Sequence, residues 1–231
     1  MAYRAEIDGL RALAVLSVLA FHAGVDGAGG GFVGVDVFFV ISGYVITNVI
    51  RADLAAGSFS LLGFCENRVR RLAPPLLAVL LVTLPVAAFC ATPAEMKSLA
   101  QATVAAAGML ANVYYFKLYH YFAPSAQVSP LLHTWSLAVE AQFYVAYPIL
   151  LLVCRRWSKR ALLALLGALA VASVASAHGV STAASFYLLP WRAWELLAGA
   201  LLAVAAPSWH RTPSPAARSE EHTSELQSHS F

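Results

Sequence analysis

The chain has 231 residues, of which 60% are hydrophobic and only 12% are charged, and its formal net charge is +3. A soluble domain of this size could not cover so much apolar surface with polar groups, so the composition excludes an ordinary globular protein and indicates a polytopic membrane protein. The three cysteines stand far apart at positions 65, 90 and 154, which indicates neither a disulfide framework nor a metal site.

Apolar runs of about 20 residues, long enough to cross a bilayer, predict an all-α transmembrane helix bundle with about six crossings. Basic residues gather between the second and third runs and between the fourth and fifth, so the positive-inside rule places both connections in the cytoplasm. A further run at 98–116 would move the later connection outside if it crossed, so we expect it to be re-entrant or interfacial. The predicted crossings are 8–24, 32–50, 74–92, 136–153, 160–178 and 185–206.

The first predicted crossing carries one ionisable side chain near each end, Arg11 and His22. They are nearly three helical turns apart, so both project from almost the same face, about 16 Å from each other along the axis. Asp8 lies one turn before Arg11, within reach of it on a helix. Ionisable groups at this depth usually mark function. A snorkelling arginine and an interfacial histidine explain the pattern equally well.

The second crossing, in "GGFVGVDVFFVISGYVIT", contains Asp36, Ser42 and Gly43. An aspartate inside the bilayer needs a partner, and a glycine lets another backbone or a ligand approach closely. In the sixth crossing, Arg192 and Glu195 have helical i,i+3 spacing. We expect that pair to be structural, with each side chain neutralising the other.

The fourth crossing follows "SPLLHTWSLAVEAQFY", in which Ser129 and the proline after it predict a helix start, as N-cap and first helical residue. On that helix His133, Ser136 and Glu140 would share one face. A histidine and a carboxylate within reach of each other can perform acid–base chemistry. Spacing alone favours the alternative, a buried structural pair.

The end of the sequence differs from everything before it. Residues 207–217 are predicted to be a linker, and "RSEEHTSELQSHSF" at 218–231 resembles the translation of a common sequencing-library adapter. We therefore expect 218–231 not to be native and 1–206 to be the N-terminal part of a longer membrane domain. The alternative is a disordered cytoplasmic tail.

Five segments in order carry a family resemblance: "YRAEIDGLRALAVLSVLAFHAG", "GGFVGVDVFFVISGYVIT", "RVRRLAPPLL", "SPLLHTWSLAVEAQFY" and "RAWELLAGALL". Over residues 3–203 the chain resembles acyltransferase family 3, the integral-membrane O-acyltransferases of bacteria. The resemblance implies transfer of an acyl group, usually acetyl from acetyl-CoA, to a hydroxyl of an extracytoplasmic glycan such as lipopolysaccharide O-antigen, peptidoglycan or another cell-surface polysaccharide. It also implies a multi-pass protein of the bacterial cytoplasmic (inner) membrane. The opening is most similar to long members with a C-terminal SGNH-type domain.

The same resemblance suggests roles for individual residues. The family's signature arginine and histidine match Arg11 and His22, and with Glu140 they form the predicted catalytic set. His22 would take the acceptor's proton or carry the acyl group, and Arg11 would orient the donor. Acyl-CoA is expected as the donor substrate, with no bound cofactor, no metal and no nucleic acid. The predicted substrate-binding residues are Arg68, Arg70, Arg71, Asp36, Ser42, His133 and Ser136.

The three arginines of "RVRR" would hold the donor's phosphates, because guanidinium groups match phosphate geometry. The positive-inside rule alone also explains their charge. The sequence departs from the family at one point: Glu140 is followed by Ala141, where the family commonly has a second acid. Two alternatives stay open, an inactive truncated fragment and a polytopic transporter, although the internal repeats typical of transporters are not found in the sequence.

Overall fold

The computed structural model of the chain describes residues 5–121 and 129–206. This part of the chain consists of helices joined by short turns and contains no strands. Its α-helices, in chain order, are α1 (Ala5–His22), α2 (Gly34–Ala55), α3 (Leu61–Cys90), α4 (Pro93–Ala107), α5 (Ala111–Tyr121), α6 (Thr134–Val153), α7 (Lys159–Ala177), α8 (Thr182–Tyr187) and α9 (Leu189–Ala205), with short 3-10 turns at Gly31–Val33 and Cys154–Arg156.

Five helical segments in the described residues are long and apolar enough to cross a membrane. They confirm the predicted all-α polytopic bundle. Helix α1, which corresponds to the first predicted crossing, has 18 residues but carries Glu6, Asp8 and Arg11, and it is not one of the five. The five segments are Gly31–Ala55, Leu61–Cys90, Thr134–Arg156, Lys159–Ala177 and Thr182–Ala205. The predicted linker and tail at 207–231, and residues 122–128, lie outside the described residues.

Helix α3 begins much earlier than the predicted crossing at 74–92. Ser60 starts it as N-cap, with its hydroxyl oxygen accepting a hydrogen bond from the Gly63 amide at 3.3 Å. The prolines Pro74 and Pro75 lie within the helix and do not end it. The expectation that "RVRR" lies in a loop was therefore wrong, because these arginines project from a helix and have fixed angular positions on it.

The run at 98–116 does not form one helix. Helix α4 starts with a capping box, in which Thr92 and Glu95 exchange hydrogen bonds, and ends at Gly108. Met109 then adopts a left-handed conformation (φ 54°) before α5 begins. With 15 and 11 residues, α4 and α5 are each too short to cross a bilayer alone. This agrees with the expectation that the run does not cross as a single span.

Helices α2 and α9 form the closest helix pair of the bundle. A Cβ atom on Gly43 would overlap the Leu196 carbonyl oxygen, and one on Gly199 would overlap the Val40 carbonyl oxygen. Small residues at such a crossing bring two backbones together. The partner of Gly43 is therefore another backbone, one of the two alternatives that the sequence offered.

Helix α6 begins at Thr134, four residues later than expected. Ser129 does not cap it, since its hydroxyl is hydrogen-bonded to the Tyr115 hydroxyl at 2.7 Å. The residues between form successive turns, and His133 precedes the first helical residue. Further along α6, Gln142 exchanges two hydrogen bonds with the buried Asn112 of α5, at 3.2 and 2.8 Å, which ties the α4–α5 region to the bundle.

Candidate active site

The buried carboxylate of Glu140 lies where helices α2 and α6 face each other, and only 6% of the residue is exposed. Ser42 on α2 donates a short hydrogen bond to Oε1. The hydroxyl of Tyr144, one turn further along α6, donates to Oε2 at 3.3 Å. Each carboxylate oxygen therefore has a hydroxyl donor, which is how a buried polar group avoids the cost of an unmade hydrogen bond.

Three arginines from α1 and α3 lie within electrostatic range of this carboxylate, and none of them forms an ion pair with it in the described residues. Arg11, Arg68 and Arg71 are all close enough for their charges to interact with the charge of Glu140. The Nε atoms of Arg11 and Arg68 are buried and have no hydrogen-bond partner in the described residues. Arg11 also lies over the Phe38 ring at 5.9 Å, and its guanidinium is 3.6 Å from Asp8. We call these three arginines and Glu140 the arginine cluster; it carries more positive than negative charge and has unused donors.

Arg70 is not part of the arginine cluster. It forms an exposed i,i+4 ion pair with Glu66 at 2.7 Å. Residues 68 and 71 are one turn apart and share a face of α3, whereas residue 70 lies on the opposite side. The structure thus brings together two of the three arginines predicted to bind substrate.

An apolar groove of about 250 Å³ runs from Glu140 between α1, α2 and α6. Ser136 and Glu140, predicted to share a face, both line it. Val15 and Val18 line it from α1. The groove wall is completed by Ala14, Leu19, Gly34, Val35, Phe38, Phe39 and Leu137.

His22 lies at the C-terminal end of α1, exposed and beyond the groove. The structure does not place it beside Glu140. Its Nδ1 donates a hydrogen bond to the Val18 carbonyl at 2.9 Å. Because a carbonyl oxygen only accepts, Nδ1 carries a proton, and Nε2 of the neutral ring keeps a free lone pair. His22 can therefore act as a proton acceptor or a nucleophile through Nε2.

His133 is the N-cap residue of α6 and has helical backbone angles (φ −55°, ψ −19°), seven residues before Glu140. It does not line the groove beside Glu140. Burial lowers the pKa of His133, which a hydrogen bond to the Pro130 carbonyl partly offsets. Burial therefore favours the neutral form of the ring. Its role in substrate binding stays a prediction.

Asp36 has the ion partner that its position in the bilayer requires. Arg192 of α9 binds it at 2.8 Å and also binds Glu195 at 2.5 Å. The expected pair of Arg192 and Glu195 is present, but it is part of a triad that ties α2 to α9. The guanidinium also lies 5.5 Å from the Trp135 ring centre. Among the described residues Asp36 forms no ion pair with the arginine cluster, and its role in substrate binding stays a prediction.

Sequence analysis missed Tyr144 and the partner of Asp36. The position of Tyr144, four residues after Glu140 in "EAQFY", was an available signal, because residues at this spacing are neighbours on a helix. The pairing of Asp36 with Arg192 had no such local signal. The described residues contain no group of three or more His, Cys, Asp or Glu side chains that could hold a metal ion.

A membrane-spanning bundle with ionisable side chains buried inside it defines a class, the polytopic membrane proteins with an intramembrane polar site. Comparison with protein families makes this specific. The family described as "Acyltransferase domain" matches residues 4–217. The chain belongs to this family, acyltransferase family 3.

Similar proteins come from several bacteria. The peptidoglycan O-acetyltransferase OatA of Listeria monocytogenes is 37% identical over 214 residues, which cover 89% of this chain and 34% of that protein. The putative peptidoglycan O-acetyltransferase YrhL of Bacillus subtilis is 35% identical over 227 residues, covering 92% of this chain and 35% of that protein. The O-acetyltransferase OatA of Staphylococcus aureus is 34% identical over 150 residues, covering 64% of this chain and 25% of that protein.

The chain thus spans about a third of the length of the curated relatives that match most of it. No solved structure matches the chain.

Proposed function

We propose that the protein transfers an acyl group, acetyl in the first instance, from cytosolic acyl-CoA to a hydroxyl of an extracytoplasmic glycan. One observation carries this proposal: three guanidinium groups lie within electrostatic range of a single carboxylate without an ion pair to it, and two of their buried Nε atoms lack partners in the described residues. Such a cluster has excess positive charge, which a bound anion would neutralise. The phosphates of a coenzyme A thioester supply one, and guanidinium groups bind phosphate with two parallel hydrogen bonds.

The donor would lie along the apolar groove. Its phosphates would bind Arg11, Arg68 and Arg71, and its uncharged arm would follow the groove wall toward His22. Helical geometry puts His22 about 16 Å from Arg11 along α1. Under the positive-inside rule the arginine cluster lies toward the cytoplasm, where acyl-CoA is made, and His22 lies toward the outside.

His22 would then serve the reaction through Nε2. In the direct route, the acceptor hydroxyl oxygen bonds to the thioester carbonyl carbon and its proton passes to Nε2. The carbon–sulfur bond breaks, and the sulfur takes that proton and leaves as a free thiol. In the two-step route, Nε2 bonds to the thioester carbonyl carbon while the carbon–sulfur bond breaks and the thiolate leaves. The acceptor hydroxyl oxygen then bonds to that carbon, the carbon–nitrogen bond breaks to return the neutral imidazole, and the hydroxyl proton passes through solvent to the thiolate. Arg11 would orient the donor, with Glu140 and Ser42 holding the arginines in place.

The acceptor class is suggested by the relatives. Two of the similar proteins are named peptidoglycan O-acetyltransferases, one of them putatively. Peptidoglycan is therefore the acceptor to test first, with O-antigen and other cell-surface polysaccharides as further candidates. The site would lie in the bacterial cytoplasmic membrane, where acceptors of this class are reached from the outer face.

The test uses the full-length protein in vesicles, with radiolabelled acetyl-CoA on the cytoplasmic side and peptidoglycan fragments on the other. We expect label to appear in ester linkage on the glycan. Arg68→Ala and Arg71→Ala should raise the KM for acetyl-CoA, and Arg70→Ala, on the same helix but outside the arginine cluster, should leave it unchanged.

Two outcomes would contradict the proposal. Vesicles that accumulate an unmodified solute without acetyl transfer would support the transporter, and full-length protein that neither transfers nor binds acetyl-CoA would support the inactive form. An equal effect of Arg70→Ala and Arg68→Ala would remove the arginine cluster as the donor site.

A further inference from the structure

A second cavity, of about 700 Å³, opens at the end of the bundle where α2, α6 and α9 end and α7 begins. None of its lining residues belongs to the groove beside Glu140. Four of them are cationic: Arg51, Arg155, Arg156 and Lys159. We call it the basic cavity. No carboxylate lines it, and no described carboxylate forms an ion pair with any of the four.

Two of these cations also contact the end of α9. Arg51 donates to the Ala203 carbonyl at 2.8 Å, and Lys159 donates to the Ala205 carbonyl at 3.0 Å. Each bond uses one donor of a side chain that has several. These contacts hold Arg51 and Lys159 at the cavity wall and leave donors for a ligand. Arg155 and Arg156 make no hydrogen bond or ion pair to any described residue.

The rest of the wall is apolar and aromatic. These side chains could not replace the interactions with water that a bare inorganic anion would lose on entering the cavity. They include Leu54, Phe59, Leu151, Trp157 and Val204. Cations beside apolar walls fit a phosphate group attached to an apolar body. The volume agrees, since small-molecule sites have about 300–1,000 Å³.

We propose that the basic cavity binds the phosphate group of an amphipathic phosphate ester at the cytoplasmic face. Two sources share this chemistry: an anionic phospholipid of the adjacent leaflet, and a soluble nucleotide with an organic arm. The positive-inside rule explains why cations lie at this end of the bundle. It does not explain why four of them share one concave wall without a carboxylate. Basic pockets between helices at this depth bind anionic headgroups.

The test measures binding alone, so its result is independent of acyl transfer. The full-length protein is placed in nanodiscs of phosphatidylcholine with a titrated fraction of phosphatidylglycerol, and retained phosphatidylglycerol is counted by native mass spectrometry. A second arm titrates coenzyme A into nanodiscs of phosphatidylcholine alone. The variants are Arg155→Gln and Arg156→Gln, with Arg160→Gln as control, because Arg160 is equally exposed at this end of the bundle but does not line the cavity.

We expect Arg155→Gln and Arg156→Gln each to weaken the binding of one of the two ligands about fivefold, which is the effect of one cation near an anionic surface. Arg160→Gln should change the binding of that ligand less than about twofold. A loss in the phosphatidylglycerol arm identifies a phospholipid as the source, and a loss in the coenzyme A arm identifies a nucleotide. An equal loss with Arg160→Gln would mean only general surface attraction and would overturn the proposal. So would unchanged binding of both ligands.

Discussion

The Glu140 carboxylate is held by two hydroxyl groups that belong to different parts of the sequence. Ser42 comes from the neighbouring helix, and Tyr144 comes from the next turn of the same helix. Inside a bilayer such a carboxylate is costly unless its partners are fixed. We infer that Ser42 and Tyr144 are positioning residues, which hold Glu140 where it can face the guanidinium groups of the arginine cluster.

Removing either hydroxyl should therefore reduce acyl transfer more than it reduces stability. A hydrogen bond to a charged group contributes about 1.5–3 kcal/mol, so Ser42→Ala and Tyr144→Phe should each lower kcat/KM for acetyl-CoA by about 10- to 100-fold. Tyr147→Phe is the matched control, because the Tyr147 hydroxyl is bonded to Thr47 at 2.8 Å and not to Glu140. Initial rates at equal membrane abundance provide the measurement. Equal losses in Tyr144→Phe and Tyr147→Phe would show a packing effect instead.

The site was partly predictable at this scale. Helical spacing correctly put Ser136 and Glu140 on one face, since both line the same groove. It could not join Ser42 to Glu140, or Asp36 to Arg192, because these contacts connect residues 98 and 156 positions apart. Such contacts depend on which helices become neighbours, and local periodicity carries no information about that.

Among the elements, helices α2 and α9 form a close contact that joins the N-terminal and C-terminal parts of the bundle. Gly43 and Gly199 each leave room for a carbonyl oxygen of the opposite helix. The same pair is joined by the ion pair of Asp36 with Arg192. Close backbone approach and a partly buried ion pair together fix the distance between α2, which carries Ser42, and α9.

A side chain at this crossing should destabilise the protein. Gly199→Ala and Gly43→Ala would push a methyl group into a backbone carbonyl, which cannot move aside as a flexible side chain can. Overpacking typically costs about 1–3 kcal/mol, so both variants should unfold at lower temperature in detergent. Gly167→Ala, on α7 with no atom within 4 Å of its added Cβ, should not. The measurement is the Tm of each of the three purified variants. A wild-type Tm for Gly199→Ala would contradict the close approach of α2 and α9.

The presence of each long helix was easier to predict from the sequence than its first and last residues. Apolar runs located all six long helices, because hydrophobic length is a local property. The start of α3 was missed by 13 residues, since Ser60 begins the helix well before the apolar run and charged residues fill its first turns. Helix α6 starts later than predicted, because the Ser129 hydroxyl is hydrogen-bonded to the Tyr115 hydroxyl and does not cap the helix.

For the whole molecule, the positive-inside rule gives an orientation that agrees with the spatial grouping of charge. Arg51, Arg155, Arg156 and Lys159 meet at one end of the bundle. The orientation predicts that this end faces the cytoplasm and that α4 begins outside.

Cysteine labelling tests this orientation. In a background where Cys65, Cys90 and Cys154 are replaced by alanine, a membrane-impermeant maleimide should label Ala94→Cys in intact cells. It should label Ser58→Cys and Arg160→Cys only after permeabilisation. All three positions are exposed, so differences in labelling reflect the membrane and not burial. Labelling of Ser58→Cys in intact cells would reverse the orientation and put the arginine cluster on the wrong side for a cytosolic donor.

The most direct test of the proposed function concerns His22. The measurement is the initial rate of acetyl transfer from acetyl-CoA to peptidoglycan fragments by full-length protein in vesicles, compared between wild type and His22→Ala. Proton transfer by a positioned side chain is worth about 10²–10⁴-fold, so His22→Ala should lower the rate by at least 100-fold at unchanged membrane abundance. His178→Ala, which replaces an exposed histidine at the end of α7, should transfer at the wild-type rate. A loss below tenfold for His22→Ala, with Glu140→Gln inactive, would contradict the account and move the proton acceptor to Glu140.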